Sequence, residues 1–199
     1  MRTRDEQKQH SVSHVALKMI VEEGLYGLSM QKLAKAAGIS PATIYIYYKD
    51  KDDLIMQLCV AEAHKMEEAT LAGFSADMGL KEGLRLQWKN RAKYCMENPL
   101  GMQFLEQIRH SPYHGPASGL VRRKFVEELG KFVHINIERG QLVKAASTEV
   151  FWAVAYAPLY SLLKFHMQGR GLAGMGTPFI LTDDLLENAL QLTIKALTP

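Results

Sequence analysis

The sequence predicts an all-α fold, and three observations predict it. Apolar residues recur at helical spacing from one end of the 199-residue chain to the other, and no segment alternates like a strand. Gly and Pro punctuate these segments, as at Gly24, Gly38, Asn98-Pro99, Ser111-Pro112, Gly115-Pro116 and Gly140. No internal repeat is present, so the chain is not a helical solenoid.

The first helix is expected over 5–23, with Val12, Ala16, Met19 and Ile20 on one face and Gly24 as its stop. Ser29 caps a second helix over 29–36, whose apolar face is Met30, Leu33, Ala34 and Ala37. Ala37-Gly38-Ile39 forms a three-residue turn. Ser40 then caps a short third helix, 40–46, with Pro41 at its first position, where a missing N–H costs nothing. Ile39 and Ile44 face inward, and Tyr48 closes the small domain over Ile20 and Leu33. Asp50 caps a longer helix that reaches Gly73, with Asp52 and Asp53 at the positive end of its dipole and Leu54, Leu58, Ala61 and Lys65 along one face. Further helices are expected over 80–97, 99–110, 116–139, 148–168 and 182–197. Pro158 removes one hydrogen bond, to the Val154 carbonyl, and Thr182 caps the last helix with Leu181 and Leu186 as a staple. The Gly-rich segment 169–178 reads as a loop. The organisation expected is a helix-turn-helix domain over 1–50, a connecting helix over 51–73 and a larger helical domain over 74–199.

Composition narrows the function. The chain is 47% hydrophobic and 23% charged, which is ordinary for a globular protein. Its net charge is +3, and all of the excess lies in residues 1–51, with eight basic side chains against five acidic. A basic end on a neutral body suits a polyanion partner. The two cysteines, Cys59 and Cys95, lie far apart within apolar segments, which fits a reducing cytoplasm and no disulfide scaffold. No signal peptide is evident. The apolar run Val150–Leu163 is too short for a membrane span and is interrupted by Pro158. No nucleophile elbow, H-E-x-x-H, phosphate loop or dinucleotide fingerprint occurs, so the chain is not read as an enzyme and no cofactor is expected. His110 and His114 are separated by Pro112 and lack a third ligand, so no metal site is assigned.

The two short helices and their Gly-containing turn have helix-turn-helix geometry, in which the second helix enters the major groove. Its outward residues are Ser40, Pro41, Ala42, Thr43, Ile46 and Tyr47, with Tyr45 near the surface, as contact or as packing. Thr43 suits a phosphate or base edge, Ala42 and Ile46 a thymine methyl, and the tyrosine hydroxyls a phosphate. Lys51 adds an ammonium at a helix N-terminus.

The stretch Val12–Leu54, with Ala16, Gly24, Tyr26, Leu28-Ser29 and KLAKAAGISPATIYIYYKDKDDL, resembles the DNA-binding domain of TetR-type (tetracycline-repressor-like) transcriptional regulators. The resemblance covers the first quarter of the chain. It implies DNA contacts at Gln31, Ser40, Ala42, Thr43, Tyr45, Tyr47 and Lys51, a double-stranded DNA operator, and repression relieved by a small-molecule effector bound in a helical ligand-binding and dimerisation body. Pro41-Ala42 departs from the longer polar or basic residues of many members. That shifts weight to shape readout and to an arm at Arg2 and Arg4, which reads equally as the start of a tail.

For the body the residues themselves carry the reading. Helices 148–168 and 182–197 are apolar on more than one side, which fits a homodimer closed by a four-helix bundle. Trp88, Phe104, Trp152 and Tyr156 are the first candidates for an effector pocket, because each offers an aromatic wall beside polar neighbours. The effector expected is apolar or amphipathic, with Arg109 or Lys164 available for a carboxylate. The alternative is a DNA-binding protein without small-molecule control, constitutive or partner-regulated.

Overall fold

The computed structural model describes residues 4–121, 123–144, 148–172 and 178–199. Eleven α-helices and no strand occur among them: α1 (Arg4–Gly27), α2 (Met30–Ala37), α3 (Pro41–Tyr47), α4 (Lys51–Leu71), α5 (Leu80–Glu97), α6 (Pro99–Arg109), α7 (His114–Val121), α8 (Arg123–Glu138), α9 (Thr148–Ala155), α10 (Ala157–Gln168) and α11 (Asp183–Leu197). Arg2 of the expected arm lies outside the described residues, as do the side chain of Arg4 and positions 173–177 of the Gly-rich loop.

The chain divides into two compact units, Met1–Lys65 with Asn98–Arg122, and Met66–Glu97 with Arg123–Pro199. The first is wider than the span 1–50 read from the sequence, because it takes in α6 and α7.

In the first unit the expected apolar face of α1 is buried throughout, at Val12, Ala16, Met19 and Ile20. The first run of helix stops at Gly24 as expected, where the backbone leaves helical geometry at φ 74° and ψ 174°, and a short further piece runs on to Gly27. Leu28, Leu33, Ala34, Ile44 and Tyr48 complete the small core, and Phe104 and Ile108 of α6 join it. Tyr48 keeps its hydroxyl satisfied at 2.9 Å from Ser13 Oγ. On α4 the buried stripe is Leu54, Ile55, Leu58, Cys59 and Glu62, whereas Ala61 and Lys65 are exposed. The stripe therefore drifts from the face expected for Leu54, Leu58, Ala61 and Lys65.

In the second unit, α5 buries Leu80, Leu84, Trp88 and Cys95 against α10 and α11. Two side chains of α5 cap the end of α4. Gln87 Nε2 donates to the Thr70 carbonyl at 2.8 Å and Asn90 Nδ2 to that of Ala72 at 2.8 Å. The single helix expected over 148–168 is two, α9 and α10, broken at Tyr156 (φ −126°, ψ −25°). Pro158 is the cause, since its ring removes a donor and clashes with the preceding turn. The helix expected over 116–139 is described as α7 and α8, on either side of residue 122, which lies outside the described residues. Thr182 caps α11 as expected, its Oγ1 accepting from the Leu185 N–H at 3.3 Å, and Leu181 beside it is buried. Cys59 and Cys95 are buried free thiols, and burial pushes their pKa values up to about 12 and about 11.

Candidate nucleic-acid interface

The turn between α2 and α3 is fixed by its backbone. Gly38 adopts φ 68° and ψ 28°, a left-handed conformation that L side chains rarely take. Its N–H and that of Ile39 return to the carbonyls of Lys35 and Ala34 at 3.3 and 3.0 Å, closing α2 in a Schellman-type end. Ser29 Oγ accepts from the Lys32 N–H at 3.2 Å and Ser40 Oγ from the Thr43 N–H at 3.2 Å, so both helices start on their expected caps. Ile44 is fully buried and Ile39 packs on the same core. Together they anchor α3 by its inner side.

Its outer side is left free. Ser40, Pro41, Ala42, Tyr45 and Ile46 are exposed, Tyr45 at 54% and Ile46 at 75%, and Thr43 is half-buried. Gln31 is exposed on α2. Thr43 Oγ1 lies 2.8 Å from Ser40 Oγ, so the two hydroxyls form a pair at the start of α3. Tyr47 is half-buried and its hydroxyl donates to the Asp5 carboxylate at 3.0 Å. Desolvation, then the Asp5 bond and charge, raise its pKa, so it stays a donor.

Lys51 opens α4. The Asp53 N–H donates to Asp50 Oδ1 at 2.8 Å, and Asp53 Oδ2 accepts from the Lys49 N–H at 2.8 Å, a reciprocal cap that sets this end rigidly. Tyr113, in the α6–α7 connection, donates to Asp52 Oδ1 at 2.6 Å. Desolvation and that carboxylate push its pKa up to about 12. No sequence signal marked Tyr113 as a support for this end, because the two residues are 61 positions apart.

The four aromatic candidates of the body do not share one place. Phe104 belongs to the core of the first unit. Trp88, Trp152 and Tyr156 lie in the second unit. Trp88 Nε1 donates to the Ala155 carbonyl at 2.8 Å, while Trp152 and Tyr156 have ring centroids 4.8 Å apart. Between Trp152, Tyr156 and Phe125 sits the guanidinium of Arg91, 5.4, 4.6 and 4.9 Å from the respective ring centres. Arg91 is 2% exposed. The sequence reading missed it and named Arg109 and Lys164 instead. Both of these are exposed, and Arg109 pairs with Glu106. The available signal was its register: Leu80, Leu84, Trp88, Arg91 and Cys95 share the buried face of α5, which puts a cation in the core.

A capped pair of short helices around a left-handed Gly, with α3 held by Ile44 and free on its outer side, has the geometry of a helix-turn-helix unit. Residues 13–58 match the model described as bacterial regulatory proteins, tetR family. An uncharacterized HTH-type transcriptional regulator of Haemophilus influenzae is 35% identical over 99 residues, 48% of this chain and 51% of that protein. The fatty acid metabolism regulator protein of Bacillus subtilis is 35% identical over 51 residues, 26% of either chain. The match thus spans about half the length of the first curated relative and a quarter of the second. A crystal structure of a TetR family transcription regulator from Marinobacter aquaeolei VT8 is similar over 99% of this chain and 98% of its own, with a TM-score of 0.74 and 26% identity. One from Haemophilus influenzae has the same fold over the full length of both, with a TM-score of 0.79 at 23% identity. The chain thus has the fold of TetR-family regulator structures over its length, and residues 13–58 match that family's model. No described helix is long and apolar enough to cross a membrane.

Proposed function

We propose that this chain is a transcriptional regulator of the TetR family, a cytoplasmic homodimeric repressor released from a palindromic double-stranded DNA operator by a small apolar or amphipathic effector. The observation that carries the DNA-binding part is the outward face of α3. Ala42, Tyr45 and Ile46 are exposed on a helix that Ile44 holds in place, with the exposed cap Ser40 and half-buried Thr43 at its start. Gln31, Tyr47 and Lys51 flank that face and serve as phosphate contacts, with base readout left to Ala42, Thr43 and Ile46.

The dimer reading is supported by α9 and α11. Leu190, Ile194 and Leu197 of α11 face its own unit, while Leu185 and Leu192 are 42% and 71% exposed; Val150 of α9 is 46% exposed. Exposed apolar side chains on helices that already bury another face suit a second copy. Two copies also satisfy the geometry of an operator whose half-sites lie about 34–36 Å apart or a multiple of that.

Effector release is a two-state equilibrium biased by ligand contacts made in one state, with α4, which runs from the first unit into the second, as the element that carries the shift. A second reading, control by a protein partner or none, is favoured by one observation. Two open depressions, about 420 and 230 Å³, are lined by residues of the first unit and not by the body aromatics.

The test is binding of the purified chain to duplex DNA at several salt concentrations. Wild type is expected to bind, with log Kd linear in log salt. Substituting Ile46→Asp and Thr43→Asp in the exposed face should abolish binding while the chain stays folded. A chain that binds no duplex at low salt, or whose double variant binds as well as wild type, overturns the proposal.

A further inference from the structure

The cage around Arg91 is unfinished. Arg91 Nη1 donates to Tyr160 Oη at 2.7 Å and Nη2 to Gln87 Oε1 at 3.1 Å, both neutral partners. Among the described residues no carboxylate pairs with the guanidinium. Its Nε has no hydrogen-bond partner and is out of contact with solvent, and the same is true of Tyr156 Oη. Tyr156 is fully buried, and burial pushes its hydroxyl pKa up to about 12, so it remains protonated and able to donate. A buried cation normally carries a charged partner, and a buried donor normally carries an acceptor.

Three ring faces solvate part of the charge. They supply no acceptor for Nε and no negative charge. The two unmet groups both offer a proton, so the missing partner is an acceptor, and the uncompensated charge makes it an anion. The surroundings set its kind. One positive charge among Phe125, Trp152, Tyr156 and the neighbouring Phe151 matches a single negative charge. A dianion would bring a charge that nothing here balances. The rings suit an apolar body behind the anionic group. Phe125 and Trp152 are half-buried, in the first turns of α8 and in α9, and form the side of the cage that a ligand would displace.

We propose that Arg91, within Phe125, Trp152 and Tyr156, is the anchor for the carboxylate of a small organic acid whose apolar body packs on those rings. This names the effector class of the regulator proposed above and rests on that reading.

The experiment measures the melting temperature of the full chain in chloride-free buffer. The probes are benzoate, 3-phenylpropionate and octanoate, each against its uncharged amide. At least one carboxylate is expected to raise Tm saturably by several degrees, its amide to have no effect, and Arg91→Met to lose the shift. Without ligand, Arg91→Met should melt at or above wild type, because it removes an uncompensated buried charge while keeping most of the volume. Tyr156→Phe loses only an unpartnered hydroxyl. It should fold like wild type and weaken carboxylate binding several-fold, which keeps the test open if Arg91→Met does not fold. The anchor is overturned if no carboxylate shifts wild-type Tm, if amides act equally, if sodium chloride alone reproduces the shift, or if Tyr156→Phe and any folded Arg91→Met bind like wild type. Equal action by amides would leave effector control standing without the anchor. Duplex binding by the same preparations separates this from the regulator reading, since a wild type that ignores DNA removes the regulator whatever the melting curves show.

Discussion

Lys51 and Tyr47 lie at the same edge of the helix-turn-helix, and their chemistry differs. Lys51 stands at a helix start set by the Asp50–Asp53 cap, and a phosphate there meets both an ammonium and unpaired backbone donors. Lys51→Ala should weaken binding to all duplex sequences alike and lower the salt slope by about 1, read from Kd at several ionic strengths. Tyr47 spends its hydroxyl on Asp5 in the free chain, so a phosphate must compete with a carboxylate for that proton. Tyr47→Phe is therefore expected to cost less affinity than Lys51→Ala, with little change in salt slope. Gly38 is a matter of backbone alone. A Cβ there meets nothing within 4 Å, yet φ is +68°. Gly38→Ala should cost about 1–2 kcal/mol of stability by denaturant unfolding, all of it from conformation.

At the scale of elements, punctuation in the sequence was a good guide where one residue acts locally. Ser29, Ser40, Asp50 and Thr182 cap the helices they were expected to cap, because a cap depends only on the next three residues. Thr182→Ala should cost about 1 kcal/mol, checked by chemical denaturation. The local signal was incomplete at Pro158, where one lost hydrogen bond was expected and the helix breaks at Tyr156. It failed on α4, whose buried stripe runs through Ile55, Cys59 and Glu62; Ile55 and Cys59 share a core with residues of α1 and α6, which a single periodicity does not reveal. The Arg85–Glu187 pair joins α5 to α11 at 2.7 Å and was invisible for the same reason. Hydrogen bonds from Arg85 and Gln191 lower the Glu187 pKa from 4.5 to about 2. A depressed carboxylate contributes stability above its unfolded value and loses it as pH falls toward 2. Both side chains are about two-fifths exposed, so Glu187→Gln should cost under about 1 kcal/mol at pH 7 and close to nothing near pH 2.

At the scale of the molecule, the helix-turn-helix was legible because its determinants are contiguous: a Gly turn, two caps, an inward Ile and a Lys fall between Ser29 and Lys51. The body was not, because its site is assembled from α5, α8, α9 and α10. Trp88, Trp152 and Tyr156 were named from their size, but nothing in a linear sequence separates them from Phe104, which packs in the other unit. Arg91 was overlooked since an arginine on a helix is ordinarily a surface residue. If the exposed leucines of α11 meet a second copy, Leu185→Glu with Leu192→Glu should convert a dimer to a monomer in sedimentation velocity, and should abolish binding to two-half-site DNA while the far-UV spectrum is kept.

The central claim, a dimeric DNA-reading head, is tested most directly by selecting bound sequences from a random duplex library with the full chain. The account predicts enrichment of an inverted repeat whose half-sites are centred about 10–10.5 base pairs apart or a multiple of that. It also predicts loss of the enrichment when Thr43 and Ile46 are both replaced by Asp. Absence of any enriched sequence, or enrichment that survives in the double variant, would contradict it.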